Sequence, residues 1–140
     1  MPAPPAVLDS HALLAYFREE RGGEMIKGLL RRAADADQPL MMTEVNYAEV
    51  QYIVRRKDGD EQWAETAQIL ESLPIEFHPA TRSLADLAAD FKARYKISLA
   101  DAFAAALAKE RKAELHTGDP EFKALEKEIR ITWLSERTGN

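Results

Sequence analysis

Short apolar runs alternate along this chain with longer stretches in which apolar residues recur at helical spacing. Ala6-Val7-Leu8 is entered from Pro4-Pro5 and left at Asp9-Ser10, which reads as a buried strand turning into a helix from Ala12 to about Glu20. Gly22-Gly23 break the chain, and a second helix is expected from Glu24 to about Ala36. Pro39-Leu40-Met41-Met42 supplies a second strand. Thr43 suits the N-cap of a helix that runs to about Lys57 and stops at Asp58-Gly59-Asp60. Another helix, Glu61 to Ser72, ends before Pro74, and Ile75-Glu76-Phe77 alternates as a short strand closed by Pro79. Leu84, Leu87, Ala88, Phe91 and Tyr95 keep helical spacing between Thr81 and Tyr95. Ser98 then caps a helix from Leu99 to Lys112. Glu114-Leu115-His116 forms a strand, Pro120 to Lys127 a short helix, and Ile129 to Trp133 a last strand.

Strands separated by helices predict an α/β protein: one domain over residues 1–140, with a short, mostly parallel sheet of four to five strands flanked by helices. In such sheets ligands bind beyond the carboxyl ends of the strands. The residues that follow each strand therefore carry the search for chemistry.

Four carboxylates stand out on that basis. Asp9 and Asp119 each follow a strand, Asp101 opens a helix, and Glu49 lies early in a helix that begins just after another strand. Each has a plain structural use as well. Asp9 can cap a helix, Ser98-x-x-Asp101 has capping-box spacing, and Thr117-Gly118-Asp119-Pro120 is a turn in which glycine accepts a positive φ. Glu49 is harder to place structurally. On a helical wheel it falls among Val45, Tyr52 and Ile53, inside the apolar stripe, with Asn46 one turn earlier beside it. An unpaired carboxylate there would be costly or protonated. If the four acids meet at one sheet edge, they cannot all stay ionised unaided, and a hard divalent cation such as Mg²⁺ or Mn²⁺ relieves them.

Composition narrows the choice. With 24 acidic and 19 basic residues the formal charge is −5, the wrong sign for a general nucleic-acid binder but compatible with acids gathered around a cation. Arg31-Arg32 and Arg55-Arg56-Lys57 read as solvated helix faces. The absence of cysteine excludes disulfides, thiolate metal sites and a cysteine nucleophile. No apolar run approaches the roughly 20 residues of a membrane span, and MPAPPAVLDS lacks the regions of a signal peptide. A cytoplasmic protein without a membrane partner is expected.

Several segments together resemble the PIN-domain ribonucleases, and among them the VapC-type toxins of toxin–antitoxin pairs. These are Val7-Leu8-Asp9-Ser10 with Ala12-Leu13-Leu14-Ala15, Glu44-Val45-Asn46-Tyr47-Ala48-Glu49-Val50, and Leu99-Ala100-Asp101-Ala102. Leu115-His116-Thr117-Gly118-Asp119-Pro120-Glu121-Phe122 and Ile129-Arg130-Ile131 complete the set, in family order over essentially the whole chain. The resemblance implies a Mg²⁺-dependent endoribonuclease, with Mn²⁺ as a substitute, that hydrolyses RNA through metal-activated water. It implies three shared acids at Asp9, Glu49 and Asp101, a more variable fourth at Asp119, and polar helpers at Ser10, Asn46 and Thr117. On this view Asp9 and Asp101 bind metal most directly, while Glu49 and Asp119 act through water or at a second ion. It further implies a cognate antitoxin and a homodimer. Two positions depart from the pattern: His11 stands where a small polar residue is usual, and Glu121 where many members carry aspartate. The resemblance assigns neither a role.

Other acidic-pocket folds fit less well. A phosphoacceptor receiver needs a lysine after a late strand, and a haloacid-dehalogenase-like phosphatase needs Asp-x-Asp where this chain has Asp9-Ser10-His11. A non-catalytic α/β module that binds RNA or protein in an acidic pocket stays open as the alternative. His11 and His116 are expected near the acids, without support for a histidine acid–base pair.

Overall fold

The computed structural model describes residues 4–134, so residues 1–3 and 135–140 of the expected 1–140 domain lie outside the described residues. Five strands form one sheet: β1 (Ala6–Leu8), β2 (Leu40–Thr43), β3 (Ile75–His78), β4 (Glu114–Thr117) and β5 (Arg130–Trp133). Their spatial order is β3-β2-β1-β4-β5, and every pairing is parallel. The helices are α1 (Ser10–Phe17), α2 (Gly23–Ala36), α3 (Glu44–Asp58), α4 (Asp60–Ser72), α5 (Arg82–Arg94) and α6 (Leu99–Arg111). A 3-10 helix, Pro120–Leu125, follows β4.

The period of two along each strand divides the core between the two faces of the sheet. Leu8, Leu40 and Met42 point into one cluster with Leu13, Ile26, Leu30, Val50 and Leu70, supplied by α1 to α4. Val7, Met41 and Leu115 point the other way, onto Phe91, Phe103, Leu107 and Phe122 from α5, α6 and the 3-10 helix. Because α6 is wedged among the sheet, α5 and α3, its residues from Ala102 to Ala108 are buried on every side. Small alanines let it fit there.

Several boundaries differ from expectation for identifiable reasons. Asp9 takes the cap position of α1, its Oδ1 accepting the Ala12 N–H at 2.8 Å, so the helix starts at Ser10 and ends at Phe17. The segment after Pro120 tightens into a 3-10 turn that ends at Leu125, two residues short of Lys127. Gly118 has no positive φ, whereas Gly22 (φ 86°) and Gly59 (φ 95°) do. The buried stripe of α3 runs through Asn46, Val50 and Val54, while Tyr52 is exposed. Asn46 thus lies within the stripe and Glu49 flanks it, half-buried.

The chain runs from β1 through β2 to β3 on one side, then returns to place β4 on the other side of β1. The carboxyl ends of β1 and β4 therefore border the point where the connections diverge, the usual place for a crevice.

Candidate functional site

Asp9 and Asp119 lie just beyond the ends of β1 and β4, which pair directly with Leu8 opposite His116. Thr117, the last residue of β4, joins the two. Its fully buried hydroxyl donates to Asp9 Oδ2, and the same oxygen accepts the Asp119 N–H at 3.0 Å. Asp119 Oδ1 in turn accepts the Glu121 N–H at 2.9 Å and caps the 3-10 helix. Asp101 enters from the first turn of α6, where its N–H is held by Ser98 Oγ at 3.1 Å. Only that half of the expected capping box forms, since the Asp101 carboxyl is turned to Asp119 instead.

Proximity is visible in the electrostatics. Burial pushes the Asp101 carboxyl up to about 8, and the charges of Asp119, Asp9 and Glu49 add to the shift. Asp9 is pushed up to about 6, again mainly by burial, against the hydrogen bonds from Thr117 and Ala12 that favour its charged form. The Glu49 side chain makes no hydrogen bond or ion pair with any described residue. Its carboxylate therefore lacks the structural partner that a buried role would require, and it acts on Asp101 through its charge.

A family model described as the PIN domain matches residues 6–128. The chain belongs to the PIN-domain family. No curated protein matches it by sequence, so the remaining comparisons rest on solved structures. VapBC2 from Rickettsia felis, bound to a promoter DNA fragment, aligns with a TM-score of 0.74 at 17% identity, covering 93% of this chain and 98% of that one. DNA-bound VapBC from Salmonella typhimurium gives 0.74 at 14% identity, over 95% and 100%. VapC20 of Mycobacterium tuberculosis, a toxin that cleaves the sarcin-ricin loop, gives 0.63 at 19% identity, over 86% and 94%. At such identities the likeness is one of fold.

Within this PIN fold, Asn46 holds together the three segments that carry Asp9, Glu49 and Asp101. Fully buried at the start of α3, it donates from Nδ2 to Ser10 Oγ and to the Ala100 carbonyl, both at 3.2 Å. Its Oδ1 accepts from the Thr43 hydroxyl, and Ser10 Oγ donates back to the Asn46 carbonyl at 3.2 Å. Ser10 and Asn46 therefore fix the elements that bear the acids and do not touch the carboxylates, whereas Thr117 binds Asp9 itself.

The tightest cluster of carboxylates includes a residue to which the sequence assigned no role. One oxygen each from Asp101, Asp119 and Glu121 lies within 4.8 Å of the others, close enough to share one cation. The signal in the sequence is Asp119-Pro120-Glu121, because a tight turn at Pro120 brings residues 119 and 121 to the same side. Asp9 and Glu49 lie outside this triad. An all-oxygen set, in which burial and then the charge of Asp119 push Asp101 toward protonation, fits a hard divalent ion. Of the two histidines expected nearby, only His11 adjoins the acids. His116 is buried toward Glu114 and Arg32 of α2, and burial lowers its pKa.

Proposed function

We propose that this PIN domain, spanning residues 1–140, is a metal-dependent endoribonuclease of the VapC toxin type. The observation that carries the proposal is the convergence of Asp9, Glu49, Asp101 and Asp119 at the carboxyl ends of β1 and β4, where burial raises Asp101 and the charges of the other three add to the shift. A site that stores like charge in this way is made for a cation and a phosphate. Asp101, Asp119 and Glu121 would hold a Mg²⁺ or Mn²⁺ ion, with Asp9 and Glu49 completing its surroundings directly or through water. When bound, the ion lowers the pKa of water and offsets negative charge on the phosphodiester.

The chain's own groups prepare that chemistry. Thr117 holds one Asp9 oxygen and the Ala12 N–H the other, so the carboxylate is fixed in one orientation. Asn46 keeps α1, α3 and α6 in register, and Asp119 is anchored by its own N–H, which donates to Thr117 Oγ1, and by its Oδ1, which accepts the Glu121 N–H. A rigid set of carboxylates neutralises charge without reorganising during the reaction.

VapBC and toxin–antitoxin complexes among the structural neighbours support a cognate antitoxin partner and an RNA substrate for this chain as well. Homodimer formation belongs to the same reading. Tyr52, Ile69 and Leu99 are large apolar side chains left exposed for such contacts. Among the described residues no helix is long and apolar enough to cross a membrane.

Calorimetric titration of the purified protein with Mn²⁺, paired with cleavage of defined RNAs, tests the proposal. Binding should weaken at least about tenfold and cleavage should disappear in Asp9→Asn and Asp101→Asn. Metal binding without any RNA cleavage would favour the non-catalytic binding module.

A further inference from the structure

The polar side chains beside the acids differ in what they have left to offer a substrate. Ser10, Asn46 and Thr117 are buried, and their hydrogen bonds go to one another, to the backbone and to Asp9. His11 is exposed on the first turn of α1, two residues after Asp9, and its ring makes no hydrogen bond with any described residue.

Gly118 leaves room for that ring. A Cβ built on Gly118 would stand 2.6 Å from His11 Cε1 and 3.0 Å from Nδ1, so the imidazole rests directly against the backbone of residue 118, next to Asp119. Gly118 does not occupy the left-handed region. Its backbone is therefore open to other residues, and a side chain there would have to push the His11 ring out of this position. Among the strongest influences on Asp9, His11 is the one basic group.

We propose that His11 contacts the RNA: an imidazole N–H, held over Gly118 at the rim of the acidic cluster, donates to a non-bridging oxygen of the substrate's phosphate backbone. The inference rests on the nuclease reading above. Either tautomer of a neutral imidazole carries one N–H, so the contact does not require protonation. A hydrogen bond to a charged oxygen is among the stronger kinds, and it acts where the surrounding carboxylates repel the phosphate. Gly118 is then a positioning residue, since it acts through the ring it accommodates.

The test compares wild type with His11→Ala, His11→Gln, His11→Phe, Gly118→Ala and the double variant His11→Ala/Gly118→Ala. KM and kcat on a defined RNA are read separately in Mn²⁺, and Mn²⁺ affinity is measured by calorimetry. RNA affinity is measured in an Asp101→Asn background, where cleavage should be absent. His11→Ala should lower kcat/KM at least about tenfold, as expected for a lost hydrogen bond to a charged group, and weaken RNA binding by a similar factor. Its Mn²⁺ affinity should stay within about twofold of wild type. Glutamine, which keeps a donor, should recover most of the loss, and phenylalanine should not. Gly118→Ala should match His11→Ala, and the double variant should be no worse than either. His11→Ala at wild-type affinity and rate would overturn the inference, as would phenylalanine equalling glutamine, or a loss of Mn²⁺ affinity in His11→Ala. Failure of the nuclease reading would look different, with wild type leaving RNA intact in Mn²⁺. The binding comparison of His11→Ala with its parent would then still decide the contact.

Discussion

Asp101 concentrates the tension of the site in one side chain. Its N–H serves the cap of α6, while its carboxyl is buried against Asp119, Asp9 and Glu49. Asp101→Asn keeps the shape and the N–H but removes the charge. It should abolish cleavage and raise the melting temperature of the metal-free protein by about 2–5 °C at pH 9, with a smaller gain at pH 6, where the wild-type carboxyl already holds its proton. A thermal melt in chelator at the two pH values reads this directly, and a lower melting temperature would show that the carboxylate is structural. The sequence revealed the candidacy of Asp101 and its capping use together, because both depend on local spacing. It could not reveal how Glu121 joins Asp101 and Asp119, since that depends on how tightly the chain turns at Pro120. His11 was equally opaque, because its seat is the missing side chain of a residue more than a hundred positions away.

The elements carrying the acids are held in place by one buried amide. Asn46 on α3 bonds Ser10 on α1 and the Ala100 carbonyl at the head of α6, and it shares two bonds with Thr43 at the end of β2. Asn46→Ala would leave a cavity and several buried polar groups unsatisfied. Urea denaturation should show a loss of about 2–4 kcal/mol, accompanied by loss of cleavage even under conditions where the variant is fully folded. A loss below about 0.5 kcal/mol would mean that the elements hold their positions without it. The elements themselves were legible in the sequence, because short apolar runs bounded by proline and polar residues alternate with longer stretches of helical spacing. Their ends were less so: Asp9 begins α1 two residues early by capping it. The stripe of α3 was not legible because Asn46, a polar residue, is buried at its head while Tyr52 is exposed.

At the scale of the whole molecule, the parallel order β3-β2-β1-β4-β5 brings acids from distant parts of the chain to one sheet edge, at a cost that depends on pH. Asp9 and Asp101 are both raised, to about 6 and about 8, from an ordinary value of 3.8. A carboxyl whose pKa is higher in the folded state binds its proton more tightly there than in the unfolded chain. Through these two groups the native state holds more protons between about pH 4 and pH 8, and their contribution to stability falls as pH rises through that window. His116, whose pKa burial lowers, opposes this in the lower part of the window. Denaturation in EDTA should accordingly give a more stable protein at pH 5 than at pH 8.5, and Mn²⁺ should reduce the difference by favouring the ionised carboxylates at the higher pH. Stability that rises with pH in EDTA would mean that the acids are not held together as described. The account as a whole depends most on what the cluster does to RNA. Its most direct test is the end chemistry of products formed from a defined RNA in Mg²⁺, in Mn²⁺ and in excess EDTA. Metal-activated water should leave 5′-phosphate and 3′-hydroxyl ends that appear only with metal. Cyclic-phosphate ends, or undiminished cleavage in EDTA, would contradict it.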